Sequence, residues 1–165
     1  MIAPPESHGP NVERRHMIDF FPEIEITQAA AEAIARGLYA VAKCDGLHER
    51  EEALVASFWG EAGGSAGALG ELARGPAVTA AELNAALPTP ELRRLFLKTA
   101  ILLAWADGKV SDSERKVLAE FSGGLGIATA DFLQVESAVK EYLLAHLAPI
   151  ANTPAVAEIA KKMGV

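Results

Sequence analysis

Between Leu95 and Ala106 the chain carries a single charge, Lys98. Ten of its twelve residues are Leu, Phe, Ile, Ala or Trp, and with one Thr besides Lys98 they leave no polar face for water. A segment of helix length that is apolar nearly all round belongs at the centre of a helical bundle. Its ends are marked as well. Thr89 is placed to cap it, and Pro90 stands at the first helical position, where a missing N–H costs nothing. Asp107-Gly108 ends it.

The rest of the chain suits such a centre. Half of the 165 residues are hydrophobic, Ala and Leu dominate, and aromatics are only 6%. That favours helices packed closely through small residues over a β-sandwich. Thr27 caps a helix over "QAAAEAIARGLYAVAKC", with Ala30, Ile34, Leu38 and Val41 on one face and Glu32 four residues before Arg36. Asp45-Gly46 closes it. A second helix covers about 49–61, with Leu54, Val55, Phe58 and Trp59 as its stripe. "AGALGELA" makes a short helix, and Thr79 with Glu82 forms a capping box for "TAAELNAAL". A further helix runs over about 112–122 until "GGLGI". Phe132, Val135, Val139, Tyr142 and Leu143 stripe the next one. Thr153-Pro154 opens a short last helix ending near Gly164. No segment alternates as a sheet strand does. The expected fold is all-α, a compact bundle of about seven or eight helices built on two similar helical hairpins. Residues 1–26 form an arm, flexible at first, whose "MIDFFPEIEIT" docks in extended form. Residues 27–165 form the domain.

The two hairpins are copies of one unit. "YAVAKCDGLHEREEALVASF" and "ILLAWADGKVSDSERKVLAEF" align if the first loop is one residue shorter. Asp45-Gly46 then matches Asp107-Gly108, Leu47 matches Val110, and Glu51 matches Glu114. Leu54, Val55 and Phe58 fall on Val117, Leu118 and Phe121. Two such hairpins can pack about a pseudo-two-fold axis.

The stretch "AWADGKVSDSERKVL" followed by "LGI" resembles the tellurite-resistance TerB-like family. The shared pattern is alanine, x, alanine, Asp-Gly, x, apolar, Ser, x, x, Glu, then an apolar helix and Leu-Gly-apolar. It is strongest at residues 100–127, weaker at 38–58, and the resemblance spans about 27–147. It implies a compact helical domain with an acidic surface, tied to metal-oxyanion or general stress responses, without enzymatic activity. Related domains are joined to a co-chaperone. It also implies divalent-metal binding at acids that carry over as Asp45, Glu51, Asp107, Asp112 and Glu114. The first unit departs in having His48 where the second has Ser111.

The residues themselves leave two readings of these turns. Hard cations take six to eight oxygens, so one loop is too poor and both would have to converge. The glycine directly follows the first aspartate, unlike an EF-hand. Capping alone accounts for Ser111 and Glu114. It does not account for Asp107, an acid at a helix C-terminus where the dipole disfavours it, nor for its repetition at Asp45.

No other chemistry stands out. The net charge of −7 argues against a phosphate-backbone partner and suits cations or basic surfaces. The one cysteine, Cys44, precludes an intrachain disulfide and a cysteine-based zinc site. Beside Asp45 it makes a poor nucleophile and is expected to be a small buried residue. His8, His16, His48 and His146 lack ligand spacing. "GGSAG" lacks the lysine of a phosphate loop. Trp59 and Trp105 are expected in the core. No run reaches a membrane span. The expectation is a cytoplasmic, non-enzymatic module with a protein or divalent-metal partner, and a leftover apolar face would allow a homodimer. The alternative is a calcium-type sensor using converging Asp-Gly turns.

Overall fold

The computed structural model describes residues 24–106, 108–147 and 162. Among them lie seven helices and no strand: α1 Gln28–Lys43, α2 Glu49–Glu61, α3 Ala66–Arg74, α4 Ala80–Ala86, α5 Pro90–Ala104, α6 Asp112–Gly124 and α7 Thr129–Leu147. The expected last helix and most of the arm lie outside the described residues. Of the arm, Ile24 and Ile26 are half-buried against the core.

The helix starts follow from side-chain chemistry. Thr27 Oγ1 accepts from Ala30 N at 3.2 Å, and Thr89 Oγ1 from Leu92 N at 3.3 Å. Thr79 and Glu82 form the reciprocal box, as do Ser111 and Glu114. Each such cap satisfies orphan N–H groups of a first turn.

Two helices make the centre. α1 packs against α2, α3, α4, α5 and α6, and α5 also contacts α6 and α7. Ile34, Leu38, Val41, Phe96, Ile101 and Leu103 are wholly buried. Thr99, the one hydroxyl in the apolar run, is satisfied by donating to Leu95 O within its own helix. Small residues set the spacing. A Cβ added at Gly37 would stand 2.6 Å from Phe96 Cε2, so α1 and α5 touch where α1 has no side chain. Phe96 in turn meets the Phe121 ring edge-on at 5.7 Å. Arg93 ties the α4 end to the α6–α7 turn, its Nε donating to Leu87 O and Nη1 to Leu125 O.

Two local expectations are corrected. Arg36 does not pair with Glu32. It reaches across to Pro76 O and stands 3.6 Å from Glu82, while Glu32 accepts from Gln28. Cys44 is exposed, because it falls at the C-cap of α1, where the helix leaves the core.

Candidate functional site

The glycines of the two Asp-Gly sequences are held alike. Gly46 at φ +102° and Gly108 at φ +85° adopt the left-handed backbone that only glycine takes without strain. Each closes its helix through a backbone bond, Gly46 N to Lys43 O and Gly108 N to Trp105 O. The loops then diverge. Leu47 is exposed, whereas its counterpart Val110 packs on the core. They agree again at the third residue of the following helix. Glu51 Oε2 accepts from His48 N at 3.0 Å, and Glu114 Oε2 accepts from Ser111 N at 2.8 Å.

These two glutamates are buried, at 1% and 3% exposure. They also act on one another: Glu51 and, more distantly, Asp45 bear on the Glu114 carboxyl. Burial pushes the Glu114 carboxyl up to about 7. The Ser111 N–H opposes this, and the hydrogen bond from Glu51 and the charges of Asp45 and Glu51 add to it. Glu82 is an internal control. It occupies the same capping-box position, but exposed, and the backbone N–H of Thr79 holds its carboxyl below the ordinary value. The cap, helped by Arg36, lowers the value at Glu82, so the rise at Glu114 comes first from burial, with the second acid adding to it.

Of the predicted acids, Glu51 and Glu114 are thus neighbours, and the charge of Asp45 reaches Glu114 without joining them in a ligand group. Asp45 is exposed in its turn, and Asp112 is exposed at the first position of α6, where the helix dipole favours an acid. Asp107 lies outside the described residues. Among the described residues no three His, Cys, Asp or Glu side chains are grouped so as to hold a metal ion. Each glutamate commits Oε2 to its cap, which leaves Oε1 for a proton or a ligand. Capping explained these acids one at a time. The alignment placing Glu51 on Glu114 was the signal that they belong together, but their mutual burial is tertiary.

Cys44 sits at the edge of the same cluster. Its thiol donates to Val41 O at 3.0 Å. Partial burial, then Asp45, Glu114 and Glu51, push it up to about 11. Trp105, two residues before Asp107, is buried with Lys140 over its ring at 5.1 Å. Trp59, also buried, donates its indole N–H to Ser65 O.

Recesses of about 300 and 240 Å³ among the described residues are not lined by Glu51 or Glu114. No described helix is long and apolar enough to cross a membrane. No family model matches the chain, and neither a curated protein nor a solved structure matches it.

Proposed function

We propose that this chain is a non-enzymatic, TerB-like helical module that acts in metal-linked or general stress responses through the acidic face around its two Asp-Gly turns. One observation carries the reading: Glu51 and Glu114, which the alignment of the two hairpins matches, are both buried, and Glu51 bears on the Glu114 carboxyl. Two carboxylates in contact repel, and burial raises the cost of their charge. The arrangement is relieved by a proton, by a cation, or by a basic group from a partner. A fold that needed only caps would leave these acids in water, as Glu82 is left.

A second reading is a divalent-cation sensor. The remaining oxygens of Glu51 and Glu114 would supply two carboxylate ligands, and no third acid among the described residues is grouped with them. Calcium would take the rest of its shell from water or backbone carbonyls.

Calcium and manganese titrations followed by thermal melting separate the two. If a cation competes with the proton on Glu114, Tm rises with metal, more at pH 8 than at pH 6, and Glu51→Gln removes the response. No shift at about 5 mM metal at either pH sinks the cation reading. Metal analysis of the purified protein, with pull-down against Asp107→Asn, then tests the module itself. Equal capture by wild type and variant, with neither holding metal, would reduce the turn to scaffolding.

A further inference from the structure

At the other end of α5 lies the recess of about 300 Å³, lined by its first turns, the α6–α7 turn and the start of α7. α5 is 15 residues long, so the recess stands on the order of 20 Å from its C-terminal end. Leu97 and Val135 are buried and Ile127 half-buried, giving an apolar floor. The walls are charged: Arg93 and Arg94 from α5, Asp131 from α7.

The three charges are not equivalent. Arg93 is occupied by the carbonyls of Leu87 and Leu125. Arg94 and Asp131 are exposed, and the ion pairs among the described residues include neither, although both line one recess. A guanidinium and a carboxylate therefore face the same cavity without closing on each other. The helix dipole accounts for an acid in the first turn of α7. It does not account for an apolar floor between that acid and an arginine.

We infer that this recess binds a small apolar α-amino acid, its carboxylate on Arg94, its ammonium on Asp131 and its side chain on Leu97, Ile127 and Val135. The volume stands at the lower end of ligand sites and suits a free amino acid. A lone amine would be repelled by Arg93 and Arg94, and a lone anion would leave Asp131 without a partner. A zwitterion satisfies both, and the guanidinium fork suits a carboxylate.

The test uses L-leucine, isovalerate and isopentylamine, which share an apolar body and differ in charge. Each is titrated into the full chain by calorimetry and thermal melting, up to about 10 mM. Leucine is expected to bind saturably, with each single-charge analogue weaker by about tenfold or more. Arg94→Gln and Asp131→Asn are each expected to weaken leucine by a similar factor. Both residues are exposed, so both variants should fold, and an unchanged melt without ligand checks this. Glu114→Gln, at the distant acid pair, is expected to leave leucine binding as it was. Absence of saturable leucine binding overturns the inference. Isovalerate binding as tightly as leucine, or leucine affinity unmoved by Asp131→Asn, overturns it too.

Discussion

Glu114 carries two opposed demands. As the third residue of α6 it accepts from the Ser111 N–H, which favours the carboxylate. Buried against Glu51, it favours the acid. Its folded value of about 7 lies above the 4.5 of an unperturbed glutamate, so the native state binds the extra proton. The stabilisation from that proton is fully present below about pH 4.5, declines as pH rises through 7, and is gone above it. The whole change is at most on the order of 3 kcal/mol. Glu114→Gln keeps an acceptor for the cap while removing the charge. It is expected to raise stability relative to wild type at pH 8 and to leave it nearly unchanged at pH 4.5, in urea melts at the two pH values. A stability difference independent of pH would show that the carboxyl is not held up. Cys44 gives a second expectation at this scale. Exposed yet raised to about 11, it should react with iodoacetamide at pH 7.5 on the order of a hundredfold more slowly than a small free thiol. Mass spectrometry of the time course reads this directly.

Among the elements, what the sequence made legible was the set of helix starts. Thr27, Thr79, Thr89 and Ser111 are local signals, and each caps the helix it announces. The central place of α5 was equally readable from the near absence of charge after Arg94. Contacts that depend on neighbours were not. Arg36 has Glu32 one turn away, yet it reaches α4 and the segment before it, a choice fixed only when α1 and α4 dock. Cys44 is no more polar than its counterpart Ala106, and only the exit of α1 from the core exposes it. The α1–α5 contact offers a test at this scale. Gly37→Ala improves helix propensity by about 1 kcal/mol. It also drives a methyl into the Phe96 ring, an overpacking that costs about 1–3 kcal/mol. A net loss of stability is expected in denaturant melts. A gain would show that the ring moves aside freely.

Over the whole molecule, α1 binds the assembly together, since five other helices pack on it. Opening α1 therefore means opening nearly everything. Hydrogen exchange should find the amides of Leu38, Val41, Ile101 and Leu103 protected to the level of global unfolding, with α3 and the end of α7 exchanging through smaller openings. Protection of α1 below that of α7 would contradict this. At this scale the acid pair was half-legible: the repeat put Glu51 and Glu114 in one register, and only the closed bundle brought them into contact.

The same closure gives Gly37 and Phe96 a joint history. Neither can be exchanged alone without disturbing the other: a larger residue at 37 meets the ring, and a smaller one at 96 leaves a void beside the glycine. Their substitutions should be epistatic. Gly37→Ala is expected to be better tolerated with Phe96→Leu than the two single costs would sum to, and in descendants of this sequence the two positions would drift as a pair.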